Sequence, residues 1–172
     1  MGFFGVTMLV AGDVNPATLP AVRALGGEPD WATAGTGHRQ LSRIHGADCP
    51  DPDQVRAATE QAGAAFMCAY ILDSDFAAVQ CCRPGDEVTS FVLHATSARG
   101  YDYPVSDAEQ EAAVGYLLDW AGAGADEHEV RRALSGRMVF AEDSVLRLAA
   151  ALGALPMANL SDYLFGDLTE LG

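Results

Sequence analysis

Two tight-turn signals separate three apolar segments in the middle of the chain, and they constrain the fold more than any other feature. Residues 64–72, 76–82 and 87–95 are mostly apolar. Asp73-Ser74 separates the first two segments, and Arg83-Pro84-Gly85-Asp86 separates the last two. Links this short join antiparallel neighbours, because a parallel crossover needs roughly a dozen residues or more. With a further apolar segment at 3–10, the sequence predicts a small, mostly antiparallel sheet of about four strands.

Helix-capping patterns divide much of the remaining chain into helices. Asp51 and Gln54 have the spacing of a capping box ahead of a helix that ends at Ala62, and Ser106 and Glu109 repeat that spacing. The chain is 49% hydrophobic and 20% charged, which is typical of a globular domain. Strands cluster early and helices late, so we expect one α+β domain over residues 1–172, with four to five helices packed on the sheet. The predicted helices cover residues 15–25, 51–62, 106–121, 126–134 and 142–152.

Four segments have weaker patterns. Residues 28–37 contain Trp31 among small and turn-forming residues, so we expect irregular structure there. Residues 38–45 are expected to form a helical turn or two. Residues 96–104 are predicted to be a loop, and residues 137–140 a short strand.

The charge balance excludes two classes of partner. The chain has 24 Asp and Glu residues against ten Arg and no Lys, which gives a formal net charge of −14. Nucleic-acid binding through phosphate neutralisation needs a surplus of cations, and anionic membrane surfaces repel such a chain. We therefore expect neither nucleic acid nor membrane as a partner.

The cysteines and the first residues indicate the compartment. No apolar run approaches the roughly 18 residues of a membrane-spanning helix. Residues 1–10 are apolar, but no basic residue precedes Arg23, so we interpret them as a buried strand and not as an export signal. Cys49, Cys68, Cys81 and Cys82 have no regular spacing, which favours a reduced, cytoplasmic protein.

An Asp-x-Asp pattern follows the first of the three apolar segments. Tyr70-Ile-Leu-Asp73-Ser-Asp75-Phe resembles the nucleophile motif of haloacid-dehalogenase-like phosphohydrolases. The resemblance implies Asp73 as the nucleophile, Asp75 as general acid/base and Mg²⁺ against the phosphate. The pattern precedes another strand and a hairpin, and the chain has no Lys for the phosphate, so a turn is the simpler interpretation. Hard cations prefer carboxylate oxygens, so a metal site of the glycosyltransferase kind is a further alternative.

Other polar residues do not assemble into a recognisable site. His38 and His45 would share a face if their segment were helical, but no spacing typical of a zinc site is present. Residues 35–39 carry two glycines and Arg39, without the ending of a phosphate loop. His94 ends an apolar strand, which is typical of a histidine with satisfied hydrogen bonds. Cys81 and Cys82 are expected in the core, although a redox role stays open.

The sequence therefore favours a protein that acts by binding another protein. Its acidic surface would attract a basic partner, or the chain would associate with itself. One concrete form is a bacterial immunity or inhibitor protein that neutralises a basic nuclease-type toxin by imitating its anionic substrate. The alternative is a small metal-dependent phosphoester hydrolase that uses Asp73 and Asp75. The leading hypothesis requires no cofactor and no metal.

The last sixteen residues are a candidate interface. Apolar residues recur in 157–172 at near-helical spacing, with Gly166 and acidic residues between them. A helix of this length with an internal glycine is not stable alone, so the segment is expected to pack on the domain or on a partner. The residues predicted to bind the partner are Leu160, Tyr163, Leu164, Asp167 and Leu168.

Overall fold

One six-stranded sheet organises the part of the chain that the structure describes. The computed structural model describes residues 2–35, 38–122, 125–135 and 138–156. Every neighbouring pair of strands is antiparallel, in the order β2-β3-β1-β4-β5-β6. The α+β class is confirmed, and the sheet has two strands more than predicted. The strands are β1 (Gly5–Val10), β2 (Glu28–Ala34), β3 (Gln40–His45), β4 (Phe66–Leu72), β5 (Phe76–Cys82) and β6 (Thr89–Leu93).

Six helices and one short 3-10 turn are found in the same ranges, against the four to five helices predicted. The 3-10 turn, Pro16–Thr18, follows Asn15, whose side chain accepts a hydrogen bond from the Ala17 backbone. The helices are α1 (Pro20–Arg23), α2 (Pro52–Ala62), α3 (Ala95–Gly100), α4 (Asp107–Ala121), α5 (Glu127–Leu134) and α6 (Ala141–Ala151).

Local capping chemistry fixes where the longer helices begin. Asp51 accepts from the Gln54 backbone at 2.8 Å, and the Gln54 side chain accepts from the Asp51 backbone at 2.9 Å. This reciprocal pair is the predicted capping box. Ser106 and Asp126 accept from backbone N–H groups three residues ahead in the same way.

Both faces of the sheet are covered, which explains why successive residues of its central strands, and not only alternate ones, are apolar. Helices α4, α5 and α6 pack on one face against Leu9, Met67 and Val79. The 3-10 turn, α1 and α2 pack on the other face, where Met8 and Phe66 lie. All six residues of β1 are buried between the two layers.

Four local predictions are wrong. Residues 28–34 form edge strand β2 instead of irregular structure, and residues 40–45 form β3 instead of helical turns. An edge strand pairs on one side only, so it tolerates Pro29, and the register shifts between Pro29 and Trp31. Residues 95–100, predicted to be a loop, form α3, and residues 138–140 lie in bends rather than in a strand.

The partner-binding residues predicted in 157–172 lie outside the described residues, as do Thr36, Gly37 and Arg137. None of the helices in the described ranges combines the length and apolar character needed to cross a membrane.

Candidate functional site

The turn between β4 and β5 holds the Asp-x-Asp pattern in a left-handed conformation. Asp73 and Ser74 have φ values of 51° and 62°, and the Asp75 N–H closes the turn on the Leu72 carbonyl at 3.0 Å. Such φ values favour glycine or asparagine, and a serine in this region costs roughly 1–2 kcal/mol. The surrounding structure must therefore hold Ser74 in place.

Four hydrogen bonds of Ser74 supply that support. Its N–H donates to the Phe3 carbonyl at 3.0 Å, and its Oγ accepts from the Phe3 N–H at 2.7 Å. The same hydroxyl donates to Glu142 Oε1 at 2.7 Å, and the Ser74 carbonyl accepts from the Ala141 N–H at 2.8 Å. One buried residue thus joins the segment before β1 to the first turn of α6.

The two carboxylates of the pattern each accept a hydrogen bond from the protein itself. Asp73 Oδ1 accepts from the Gly2 N–H at 2.7 Å, and Asp75 Oδ2 accepts from the Tyr101 hydroxyl. Across the described ranges, no group of three or more His, Cys, Asp or Glu side chains is arranged to hold a metal ion. The geometry therefore gives both carboxylates a role in organising the turn.

His94 is buried and contacts the turn at Asp75. It follows β6 in a left-handed conformation, with φ 60° and ψ 51°. Its Nδ1 lies 3.1 Å from the Asp75 carbonyl oxygen, which can only accept, so Nδ1 carries the proton and Nε2 accepts from the Ser144 hydroxyl at 2.8 Å. Burial lowers the pKa of His94, against smaller opposing effects of the Asp75 carbonyl and the Glu142 and Asp75 carboxylates. The ring is therefore neutral at physiological pH, with both nitrogens satisfied as the sequence indicated.

A polar pocket opens beside this turn. It has a volume of about 260 Å³ and is lined by Asp75 and His94, by three hydroxyl-bearing residues and by the apolar residues Leu134, Met138 and Val139. The hydroxyl-bearing residues are Thr96, Ser97 and Ser135.

Large apolar side chains are exposed around the same end of the sheet. Val139 is 82% exposed, Phe140 51% and Tyr101 49%. Tyr101 contacts Asp75, Val139 lines the pocket, and Phe140 precedes the residue that bonds Ser74. Soluble proteins leave such groups exposed together mainly where something binds. We call the following set the sheet-end surface: Asp73, Asp75, Tyr101, Asp102, Val139 and Phe140.

Most of the described arginines form ion pairs with carboxylates of the same chain. Seven of them lie within 4 Å of a carboxylate, and Arg39 instead donates to the carbonyls of Ala121 and Gly153. Twelve of the described carboxylates have no ion-pair partner among the described residues, Asp73, Asp75 and Asp102 included. The uncompensated surface charge is thus negative. The paired arginines are Arg43, Arg56, Arg83, Arg99, Arg131, Arg132 and Arg147.

The remaining residues singled out in the sequence lie apart from this surface. His38 precedes β3 and lies 3.2 Å from Asp13, whereas His45 ends β3 and packs edge-on against Phe3. They therefore share no helix face. Cys81 and Cys82 are buried on opposite faces of the sheet, and burial raises the pKa of the Cys81 thiol. Both are core residues in the described structure.

The sequence identified the turn but missed its partners. His94, Tyr101 and Ser144 come from three different segments, and the contact between His94 and Ser144 spans 50 residues. The one available clue was a histidine at the end of an apolar strand. Comparison of the chain with protein-family models, curated proteins and solved structures gave no match.

Proposed function

We propose that this protein acts by binding a basic protein partner through the sheet-end surface. The observation that carries the proposal is the pairing of the charges. Most of the described arginines are paired with carboxylates of the same chain, while twelve described carboxylates have no ion-pair partner among the described residues. Such a surface attracts a cationic partner and repels an acidic one.

The composition of the sheet-end surface supports the same proposal. In such an interface the exposed side chains of Tyr101, Val139 and Phe140 would form the centre, and the exposed carboxylates of Asp73 and Asp102 would form the rim. Protein interfaces commonly place aromatic and apolar anchors at the centre, where they supply most of the binding energy, with a polar rim around them. The rim would guide the partner, and the centre would hold it.

In its sharpest form the proposal is an inhibitor or immunity-type protein. Carboxylates spaced over a rigid sheet end would then take the place of the anionic substrate of a basic toxin. Unlike an enzyme, such a protein needs no cofactor and no proton-transfer group, and it would act at a one-to-one ratio.

Charge removal at the rim tests the proposal. A partner captured on the full chain is identified, and its association is followed by surface plasmon resonance from about 10 mM to about 150 mM NaCl. The double variant Asp73→Asn/Asp102→Asn should slow association about threefold or more at low salt, with less effect at high salt. Asparagine accepts the Gly2 hydrogen bond and tolerates the left-handed φ at both positions, so the fold is preserved.

The matched control is Glu60→Gln/Asp119→Asn, which removes the same charge from α2 and α4. It should slow association less than the rim variant does. An acidic partner whose association does not depend on salt would contradict the proposal. A rise in melting temperature that saturates with Mg²⁺ or Mn²⁺ and is lost in Asp75→Asn would also contradict the proposal, because that result favours the hydrolase alternative.

A further inference from the structure

We infer that the pocket beside Asp75 receives the guanidinium group of an arginine side chain from the basic partner, an inference that rests on the proposed function. The pocket has a volume of about 260 Å³ and combines one carboxylate, three hydroxyl-bearing residues and an apolar wall. The acidic and hydroxyl-bearing residues match the guanidinium group, and the apolar wall matches the methylene chain.

Asp75 supplies the charge. It is exposed, and its Oδ2 is held by the Tyr101 hydroxyl, which fixes the orientation of the carboxylate. Within the described ranges Oδ1 has no donor, and none of the described arginines pairs with Asp75. One carboxylate oxygen is thus left to accept a charged hydrogen bond from outside the protein.

The hydroxyl groups supply further acceptors. Thr96 and Ser97, in the first turn of α3, line the pocket with Asp75, and Ser135 closes it from the end of α5. A hydroxyl oxygen can accept from a guanidinium N–H, and a guanidinium presents five N–H groups in one plane. An ammonium group has three donors and a stronger hydration shell, so it matches this set of acceptors less well.

The wall of Leu134, Met138 and Val139 suits the rest of the side chain. Arginine carries a chain of three methylene groups that packs on apolar surface while its charged end reaches polar groups. The thioether of Met138 adapts readily to such a contact. His94 is neutral and its ring nitrogens are already bonded, so it adds no opposing positive charge.

Titration of the isotopically labelled full chain with N-acetyl-arginine methylamide tests the assignment by NMR. We expect saturable amide shifts at Thr96, Ser97 and Ser135, with a dissociation constant in the millimolar range, on the order of 1 mM or weaker for a single side chain. The citrulline analogue has nearly the same shape without the charge, and it should produce no saturable shift. The lysine analogue should bind more weakly than the arginine compound.

Two carboxylate variants provide the matched pair. Asp75→Asn should weaken binding about tenfold or more, whereas Glu60→Gln, which removes an exposed carboxylate of α2 outside the sheet-end surface, should stay within about twofold. Since Asp75→Asn leaves one acceptor oxygen for both Tyr101 and the guanidinium, Tyr101→Phe is a second test. It keeps the carboxylate and should retain binding, with dispersed spectra confirming that each variant is folded.

Several outcomes would overturn the assignment. These are equal shifts with the citrulline analogue, equal affinity for the lysine analogue, shifts spread over the whole acidic surface, or unchanged binding in Asp75→Asn. The proposed function fails separately, because it depends on salt-sensitive association with the partner. If Asp73→Asn/Asp102→Asn slows that association while Asp75→Asn leaves arginine binding unchanged, the pocket assignment is wrong and the proposed function stands.

Discussion

The two turns that flank β5 are stabilised in different ways. The turn Arg83–Asp86 is built from its own residues: Pro84 and Gly85 supply the backbone geometry, and Arg83 bonds Asp86 at 2.6 Å. The turn at Asp73–Asp75 has no glycine, and contacts to the segment before β1, to Tyr101 after α3 and to α6 hold it. The sequence predicts both turns, but the backbone geometry of Arg83–Asp86 is explained by its own residues, whereas that of Asp73–Asp75 depends on contacts made in the finished fold.

The difference indicates which of the two turns is better suited to carry a binding site. The Arg83–Asp86 turn is held mainly by its own residues, and it contacts the distant residue Tyr116, whose ring lies 5.3 Å from the Arg83 guanidinium. The Asp73–Asp75 turn gathers His94, Tyr101 and Glu142 from separate segments. A surface assembled in this way can be both rigid and chemically mixed, which a binding site requires.

Ser74→Ala is the strongest test of this comparison. It removes both hydrogen bonds of the hydroxyl and leaves the Phe3 N–H and Glu142 without that partner, while the strained φ remains. We expect the free energy of unfolding, measured by urea titration with circular dichroism, to fall by about 2 to 4 kcal/mol. Ser74→Gly loses the same bonds but relieves the backbone, so it should be more stable than Ser74→Ala by about 1 kcal/mol. A Ser74→Ala protein as stable as the parent would show that the turn does not depend on these contacts.

Gly85→Ala probes the self-contained turn. Gly85 has a φ of +86°, and a Cβ added there would meet no atom within 4 Å. The cost is therefore backbone strain alone, about 1 kcal/mol in the same urea titration. Gly100→Ala, at an ordinary φ with equally open space, is the control and should be neutral or slightly stabilising. A loss at Gly85 equal to that of Ser74→Ala would remove the distinction between the turns.

The smallest expected effect is a pH dependence that enters through His94. The folded protein holds this ring neutral, with its pKa lowered chiefly by burial. In the unfolded chain the pKa is about 6.5, so below that pH the unfolded state takes up a proton that the folded state resists. The contribution to stability is complete above about pH 6.5 and declines as the pH falls toward the lowered pKa of the folded state. His94→Asn, which tolerates the left-handed φ, should lose less stability than the parent between about pH 7.5 and pH 5.5 in urea titrations. Parallel pH profiles for the two proteins would show that His94 does not titrate in this window.

The central strands could be predicted because burial on both faces requires apolar residues throughout. β4 is a continuous apolar run and β5 is apolar except for Gln80, both are bounded by turn residues, and the predicted bounds of β5 are correct. β2 could not be predicted in the same way. Its sequence, Glu28-Pro-Asp-Trp-Ala-Thr-Ala34, contains residues that disfavour strands, and only its place at the sheet edge makes them acceptable.

The candidate site was predictable only at Asp73 and Asp75. Turn chemistry is local, so the pattern could be located, but what the carboxylates contact is decided by residues 26 or more positions away. The pairing of the arginines is also tertiary. For example, Arg147 of α6 bonds Glu129 of α5 at 3.2 Å, and no spacing rule predicts which carboxylate a buried arginine meets.

The place of β1 in the sheet has a consequence for synthesis on the ribosome. β1 lies between β3 and β4, so the first strand to be made needs two partners that are made later. Translation proceeds at roughly 5 to 20 residues per second, so residue 72, the last of β4, is added several seconds after β1. Throughout that interval the nascent chain carries six residues that the finished protein buries completely, without the second row of hydrogen bonds that β4 supplies. The order of translation therefore works against the order of assembly in this fold, and β1 is the strand of this sheet that a chaperone at the tunnel exit would have most reason to shield.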